Sequence, residues 1–462
     1  MTPSGGMLRR ILTRLLTPAP AAPIYHALRE HFGQDPQALP IVSESFDPNE
    51  HPNLHLALEA YVNEDGRDAE LLGISIRNDY PGISLSRLVT AGGASLFEGP
   101  APSQGPVQYV NIPLDEEVLS CVQRGLYLVR RGQDRCAILL SGPNEFAYPR
   151  KVQLEVAAPG KEGAEGVLAE LRRAMRARNV YRGRVLSFDR DETGGYRIRF
   201  HRLPAIERRQ IILPPGVLER VERQTLLFSR HSAQLAAAGR HLKRGVLLHG
   251  RPGTGKTLTA MYLAGQMRER TVFLMTGMDF GWLSLACQMA RTLQPSIVIL
   301  EDVDLIAEDR SRPGCVSPLL FELLNHMDGL AEDTDVVFLL TTNRAEVLEP
   351  ALAARPGRVD QAVELPMPDV TCRRRLFELY GQGLEMNVTD LDGFIGRTDG
   401  ASAAFIRELL RKASLFAAEE HAGGIRIHDR HLEEALRELA LYGGGLTQSL
   451  LGATIASPER LQ

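Results

Sequence analysis

The sequence contains little cysteine and no long apolar run. Its 462 residues include five scattered cysteines that form no CxxC pair: Cys121, Cys136, Cys287, Cys315 and Cys372. A disulfide framework or a structural zinc site is therefore not expected, and a reducing, cytoplasmic location is predicted. Because no stretch of about 18 apolar residues occurs, no transmembrane span is expected either.

The sequence also lacks an excess of either charge. It has 53 Lys and Arg against 57 Asp and Glu, a formal net charge of −4, and a single Trp. Proteins that bind nucleic acid usually present a basic face interleaved with aromatic residues, so this balance argues against nucleic acid as a partner. The length allows about three domain-sized units.

Residues 1–23 are predicted to form an amphipathic segment and a linker. Apolar residues recur at helical spacing and arginines fill the other face: Leu8, Ile11, Leu12, Leu15 and Leu16 against Arg9, Arg10 and Arg14. The segment could lie on an anionic membrane, dock a partner, target an organelle or form a weakly ordered terminal helix. The run TPAPAAP at 17–23 is typical of a linker.

Residues 24–180 are predicted to form an α+β domain without a recognisable chemical motif. A helix is expected over Gly163–Arg178, and the candidate strands are Leu71–Ile76, Val107–Ile112, Gly125–Val129, Ala137–Leu140 and Val152–Val156. Residues 181–210 are expected to be a connector that carries one strand pair, Gly183–Phe188 and Gly195–Arg202.

From residue 211 strands and helices alternate, which predicts a parallel sheet with helices on both faces over 211–368. The expected strands are Gly245–Leu248, Thr271–Met275, Ile297–Glu301, Val336–Thr342 and Ala362–Leu365. Residues 369–441 have a helical pattern, and residues 442–462 are expected to form a tail. The fold class is therefore α/β with a helical C-terminal part.

A phosphate-binding loop follows the first of these strands. Residues 245–257 spell GVLLHGRPGTGKT, which contains the pattern GxxxxGKT between a strand and a helix. Glycines allow backbone N–H groups to face phosphate oxygens, Lys256 can reach the β- and γ-phosphates, and Thr257 can ligate Mg²⁺. The predicted nucleotide-binding residues are Gly250, Arg251, Pro252, Gly253, Thr254, Gly255, Lys256, Thr257 and Leu258.

Polar residues end two later strands. Glu301 and Asp302 close the strand in PSIVILEDVD, where one carboxylate can hold Mg²⁺ and the other can activate a water molecule. Asp304 is a second candidate for the base. Asn343, at the end of VVFLLTTN, could position the attacking water.

Two arginines follow in LEPALAARPGRVD, at 348–360. Arg355 and Arg358 flank a Pro-Gly turn that can project them rigidly from the surface. An arginine supplied in this way to the nucleotide of a neighbouring subunit raises the hydrolysis rate about 10³–10⁵-fold.

In combination, these motifs resemble those of the AAA family of ATPases, within the AAA+ class, over about residues 240–441. The resemblance rests on GRPGTGKT at 250–257, ILEDVD at 299–304, LLNHMDGL at 323–330, TTNR at 341–344, ARPGRVD at 354–360 and GASAAFIRELLRKA at 400–413. It implies a P-loop ATPase core with a helical lid, ATP and Mg²⁺ as ligands, and a homo-oligomer that is usually a hexameric ring.

By motif match, the resemblance also implies a role for each site residue. Lys256 and Thr257 match Walker A, Glu301 and Asp302 match Walker B, Asn343 matches sensor 1, and Arg355 and Arg358 match the arginine fingers.

Three departures from the family pattern bear on activity. The order Glu301-Asp302 replaces the usual Asp-Glu and is similar to the Bcs1-type branch, so hydrolysis is expected although the base is one methylene shorter. MDFGWLS at 278–284 places Phe280 and Trp282 either in a client-gripping pore loop or packed against the sheet. Arg407 is expected on a solvated helix face, not as a phosphate contact.

The sequence therefore favours an ATP-hydrolysing, chaperone-like ring that remodels or unfolds protein clients. Residues 24–180 would bind a client or an adaptor. The alternative is an ATP-gated assembly scaffold with slow hydrolysis, and a nucleic-acid motor is the least favoured function. No HExxH motif occurs, which argues against a zinc protease of the AAA type.

Overall fold

The computed structural model describes residues 23–75, 83–90, 102–143, 150–191, 194–307, 318–328, 334–348, 359–420 and 424–439. The chain divides into two compact units, Met1–Val180 and Tyr181–Gln462. The amphipathic segment predicted within residues 1–22 lies outside the described residues, as do Arg355 and Arg358. None of the described helices is long and apolar enough to cross a bilayer.

The first unit is built on a seven-stranded sheet with antiparallel pairing. Its strands are β1 (Ile41–Phe46), β2 (Asp68–Ser75), β3 (Ser103–Gly105), β4 (Gln108–Leu114), β5 (Glu117–Arg131), β6 (Asp134–Ser141) and β7 (Val152–Ala157). The order is β1-β7-β6-β5-β2-β3, with β4 paired to β5. The helices are α1 (Pro23–Phe32), α2 (His51–Val62), α3 (Leu85–Leu88) and α4 (Lys161–Ala177).

This sheet is buried on both faces because its central strands carry apolar residues on both sides. On β6, Ile138 and Leu140 pack in one core with helices α2 and α4. Ala137 and Leu139 point the other way and pack in a second core with helix α1. The first unit is thus the expected α+β fold.

The second unit contains another seven-stranded sheet, with the order β14-β10-β13-β12-β11-β8-β9. The strands are β8 (Val185–Arg190), β9 (Tyr196–His201), β10 (Arg244–His249), β11 (Thr271–Thr276), β12 (Ser296–Glu301), β13 (Val336–Thr342) and β14 (Gln361–Glu364). All pairs are parallel except the β8–β9 hairpin. The alternation of strands and helices predicted this parallel arrangement correctly.

Residues 181–210, expected to be a connector, supply two strands of this sheet. Val185 and Leu186 pair in parallel with Val272 and Phe273 of β11. Burial drives the pairing, since Phe188 is buried and stacks on Phe273 with ring centroids 6.2 Å apart. The hairpin was visible in the sequence, but its partner strand, far along the chain, was not.

The remaining elements flank the sheet or form a C-terminal helical part. The helices before residue 350 include α5 (Val217–Glu222), α6 (Phe228–Arg230), α7 (Ser232–Ala237), α8 (Lys256–Gln266), α9 (Leu283–Thr292), α10 (Asp304–Ala307) and α11 (Pro318–Asp328). The C-terminal part contains α12 (Val370–Tyr380), α13 (Leu391–Arg397), α14 (Ala403–Glu420) and α15 (Asp429–Arg437), with a strand pair β15 (Glu385–Asn387) and β16 (Arg426–His428). It has its own apolar core and matches the predicted helical lid.

Candidate active site

The phosphate loop runs from the end of β10 into helix α8 and depends on three glycines with positive φ. A Cβ on Gly250 would lie 2.3 Å from the carbonyl oxygen of Leu365, and one on Gly253 would lie 2.5 Å from Ser402 Oγ. Gly255 caps the helix at φ 94°. The loop is therefore held close to both the sheet and the lid, which only glycine allows at these positions.

Lys256 begins helix α8 and its side chain turns back into the loop. Its Nζ donates to the carbonyl oxygens of Gly250 at 2.9 Å and Arg251 at 3.0 Å. Burial lowers the pKa of Lys256, while the nearby carboxylates of Asp302 and Asp304 oppose that shift. The ammonium thus lies inside the loop, between its carbonyls and the acidic strand end.

Glu301, the last residue of β12, meets Thr257 at the start of helix α8. The Thr257 hydroxyl lies near the Glu301 carboxylate. Burial raises the pKa of Glu301, the Thr257 hydroxyl lowers it, and the charge of Asp302 raises it further. Glu301 Oε1 is buried and finds no hydrogen-bond partner among the described residues.

That buried oxygen indicates whether the site suits a metal ion. A buried carboxylate oxygen without a donor is costly, and a divalent cation would satisfy it. Thr257 and Glu301 supply a hydroxyl and a carboxylate, the oxygen donors that Mg²⁺ prefers. The residues present therefore fit Mg²⁺ at the place that the sequence predicts.

Asp302 follows Glu301 in a left-handed backbone conformation, φ 51°. Its backbone N–H donates to Thr341 Oγ1 at 3.1 Å, and its carboxylate Oδ1 accepts from Asn343 Nδ2 at 3.0 Å. Burial and the charge of Asp304 raise the pKa of Asp302, whereas Lys256 and Asn343 lower it. The unusual backbone thus aims this carboxylate at the predicted sensor residue.

The Asp304 carboxylate accepts different hydrogen bonds from that of Asp302. Its Oδ1 accepts from Thr342 Oγ1 at 2.7 Å and from the backbone N–H of Asn343 at 3.2 Å. These two bonds tie the end of β13 to the turn after β12. Asp304 therefore holds the position of Asn343, while Asp302 faces its side-chain amide.

These groups open into a cavity of about 780 Å³ between the sheet and the lid. Its walls include the phosphate-loop residues from Pro252 to Leu258, together with Asp302 and Asn343. The lid touches the loop directly, since the Ala404 backbone N–H donates to Gly253 O at 3.2 Å. The structure therefore brings most of the sequence-predicted residues together.

Several residues that line the cavity belong to no motif recognised in the sequence. They are apolar or aromatic residues that line the cavity: Ile206, Ile211, Ile212, Leu213, Met261, Leu376 and Tyr380. Such residues resemble ordinary core positions, and they come from segments far apart in the chain. Apolar lining in the same cavity as a phosphate loop is suited to a flat, aromatic base.

The lid also brings Arg407 and Arg411 to this cavity. Arg411 is paired with Glu408 at 2.6 Å. Arg407 is exposed, in agreement with the solvated helix face expected from the sequence. It also lines the cavity.

The structure packs Phe280 and Trp282 against the sheet. Residues Gly277–Trp282 form a 3₁₀ turn after β11, in which Phe280 is 1% exposed. Trp282 is half-buried, and its ring lies 5.5 Å from that of Tyr196 on β9. The sequence left two arrangements open, a pore loop and packing against the sheet, and the structure has the packed arrangement.

Comparison with known proteins agrees with the geometry. Residues 246–367 match the family model described as "ATPase family associated with various cellular activities (AAA)". The chain contains an AAA ATPase domain. An AAA domain of this kind is an enzyme that uses ATP with Mg²⁺ and releases ADP and phosphate.

Relatives of the AAA domain are found in bacteria and eukaryotes. The chain is 32% identical over 228 residues to an "ATP-dependent zinc metalloprotease FtsH" of Rhodococcus erythropolis, which covers 45% of this chain and 26% of the relative. It is 34% identical over 192 residues to a "26S proteasome regulatory subunit 4 homolog" of Dictyostelium discoideum, which covers 38% of this chain and 43% of the relative.

A human relative, "ATPase family gene 2 protein homolog A", is 32% identical over 220 residues, or 45% of this chain and 24% of the relative. The matched part thus spans less than half the length of each of these relatives. The similarity supports the AAA domain, and the closer likeness to the Bcs1-type branch stays a prediction.

Proposed function

We propose that this chain is an ATP-driven machine that remodels or unfolds protein clients as a ring. The observation that carries the proposal is that Lys256, Thr257, Asp302 and Asn343 line one cavity, with Glu301 beside Thr257. Relatives named as an ATP-dependent protease and a proteasome regulatory subunit point to protein clients. A cytoplasmic location stays a prediction.

Each side chain has a task in hydrolysis. The loop N–H groups and the Lys256 ammonium hold phosphate oxygens, and the apolar lining holds the base. Mg²⁺ bound by Thr257 and Glu301 would neutralise charge on the phosphates. Asp302 accepts a proton from the attacking water, and Asn343 fixes the direction of the Asp302 carboxylate through its amide.

The ring and the client-binding unit complete the proposal. Arg355 and Arg358 would reach the nucleotide of a neighbouring subunit, which makes hydrolysis depend on assembly. The first compact unit would select a protein client or an adaptor, since it is separate from the ATPase and has a sheet and core of its own.

A second candidate is an ATP-gated scaffold with slow hydrolysis. One observation favours it: the aromatic residues that could grip a client are packed, with Phe280 1% exposed and Trp282 against Tyr196. A scaffold would bind ATP and change its assembly state without needing rapid turnover.

Steady-state phosphate release tests the proposal. The Lys256→Ala variant should lose turnover, because the β- and γ-phosphates lose their main cation. Lys161→Ala is the matched control, since Lys161 is exposed in the first unit and should not affect hydrolysis. A wild-type rate no higher than that of Lys256→Ala would contradict the motor and favour the scaffold.

A further inference from the structure

One face of helix α14 lines the nucleotide cavity, starting at the phosphate loop. The Ala404 backbone N–H donates to Gly253 O at 3.2 Å, which fixes the first turn of the helix against the loop. Arg407 and Glu408 line the cavity on the next turn, and Arg411 lines it one turn further. Because each turn advances about 5.4 Å, these side chains lie at increasing distance along the helix from the loop.

Glu408 places a carboxylate in a cavity whose ligand is an anion. The hydrogen bond from Arg411 lowers the pKa of Glu408, burial opposes that shift, and the charges of Arg411, Lys412 and Arg407 lower the pKa further. The side chain is therefore ionised at neutral pH and acts only as an acceptor. The surrounding cations offset the repulsion that this carboxylate would exert on a triphosphate, so its oxygens can bind a neutral donor of the same ligand.

Arg411 orients the Glu408 carboxylate and leaves acceptor sites on both of its oxygens. Arg411 Nε donates to Oε2 at 2.7 Å, and Arg411 Nη2 donates to Oε1 at 2.6 Å. An ionised carboxylate has about four lone-pair sites, two on each oxygen. One site per oxygen therefore remains, and the bidentate arginine fixes the plane in which these sites lie. A carboxylate held in this way can accept from two adjacent O–H groups at once.

We propose that Glu408 binds the ribose of the nucleotide, with its two oxygens accepting from the 2′- and 3′-hydroxyls. The sugar is the part of ATP that presents two adjacent O–H donors, and it follows the phosphates as Glu408 follows Ala404 along the cavity. Carboxylates also bind ribose hydroxyls in dinucleotide-binding folds. Glu408 thus selects a ribonucleotide, takes no part in the hydrolysis step, and does so whatever client the chain acts on.

Calorimetric titration of the full chain with ADP, 2′-deoxy-ADP and 3′-deoxy-ADP, in the presence of Mg²⁺, tests the assignment without hydrolysis. Each deoxy form loses one hydrogen bond to a charged group. Because the Glu408 side chain is 24% exposed, the lower end of the usual range applies, and each deoxy form should bind about 10-fold more weakly than ADP. Equal affinity of the wild type for all three nucleotides would overturn the proposal.

Glu408→Ala should bind the three nucleotides with equal affinity. Removing a negative charge changes the binding of every nucleotide alike, so the ratio of the affinities reports the contact with the sugar. Glu408→Gln keeps the length and one acceptor oxygen and should retain a weaker preference of about 3-fold. Ratios equal to those of the wild type in Glu408→Ala, or in Glu408→Gln if the alanine variant does not fold, would exclude Glu408 as their source.

Glu433→Ala is the matched control within the lid. Glu433 on α15 accepts from Arg397 at 2.6 and 2.8 Å, in the same bidentate manner as Glu408 from Arg411, and it is not among the residues that line the cavity. Its nucleotide ratios should equal those of the wild type. A loss of the preference in Glu433→Ala as well would show that lid packing sets the ratio and would contradict the proposal.

The amino group of the adenine base is the other neutral donor of the nucleotide, and inosine diphosphate has an oxygen in its place. If Glu408→Ala changed the ratio of ADP to inosine diphosphate and left the deoxy ratios unaltered, the carboxylate would hold the base and the ribose assignment would be wrong. A chain that selects ribonucleotides but does not hydrolyse ATP would contradict only the proposed function.

Discussion

Replacing Asp302 by Asn tests which carboxylate activates the water. The change is nearly isosteric, and Asn tolerates the left-handed conformation at φ 51° that most residues avoid. The side-chain oxygen of Asn can still accept from Asn343 Nδ2, the 3.0 Å bond of the wild type. Fold and local geometry should therefore persist, and only the charge and the proton acceptor are lost.

The expected loss follows from that role. General-base catalysis contributes about 10²–10⁴-fold, so phosphate release by Asp302→Asn should fall by this factor. Binding of ATP should survive, because Lys256 and the loop are untouched. The variant should therefore hold ATP in a stable complex and stabilise the oligomer.

Asp304→Asn is the matched control. Asp304 Oδ1 accepts from Thr342 Oγ1 and from the Asn343 N–H, and an amide oxygen can accept both bonds. Its turnover should fall far less than that of Asp302→Asn. Both variants are measured by phosphate release beside the affinity for a fluorescent ATP analogue.

The pH profile adds an independent check. Burial and Asp304 raise the pKa of Asp302, and the carboxylate must be ionised to accept a proton. Wild-type turnover should therefore drop, as the pH falls, at a higher pH than an ordinary Asp would give. Turnover of Asp302→Asn within a few-fold of wild type, or a larger loss in Asp304→Asn, would refute the assignment.

Three further predictions concern assembly and stability. Arg355→Ala should abolish hydrolysis while ATP binding survives, as phosphate release and ligand titration would show; equal loss of both would make the arginine structural. Arg270→Met should cost about 3–5 kcal/mol in urea unfolding, because its side chain is 1% exposed and its loss strands Asp335, bonded at 2.6 Å. Adding Asp335→Leu should restore much of that loss, and no recovery would contradict the reasoning. Burial lowers the pKa of His31 to about 4, so the first unit should lose about 3 kcal/mol between pH 6.5 and 4, where only the unfolded chain gains the proton. His31→Gln should flatten that slope in pH-dependent denaturation, and an unchanged slope would exclude His31 as its source.

The sequence predicted which residues meet around the phosphate loop, because short motifs dictate the local geometry. A phosphate loop needs Gly250, Gly253 and Gly255 within a few residues of Lys256. The same short segment therefore determines both the sequence motif and the conformation of the loop. The carboxyl ends of neighbouring parallel strands meet at one edge, which brings Glu301 near Thr257 and Asp302 near Asn343. Local motifs and strand polarity suffice for this part.

The apolar residues that line the cavity could not be predicted as a group, since they recur at no regular spacing in the sequence. Ile211 to Leu213 lie between β9 and β10 and Tyr380 ends α12, and all are residues of a kind found in any core. Only the packing of the lid on the sheet brings them together. A sequence pattern records which residues are buried, but not which of them share one cavity.

The position of Trp282 depends partly on a local motif and partly on residues far away in the sequence. The motif MDFGWLS fixes that an aromatic turn follows β11, beside the strand that ends in Glu301. The indole packs on Tyr196, which belongs to the hairpin that adds two strands at the β11 edge. The hairpin lies before the AAA match at 246–367, so Tyr196 stands outside the matched residues. No ATPase motif therefore carries information about the residue on which Trp282 packs, and this contact could come only from the three-dimensional structure.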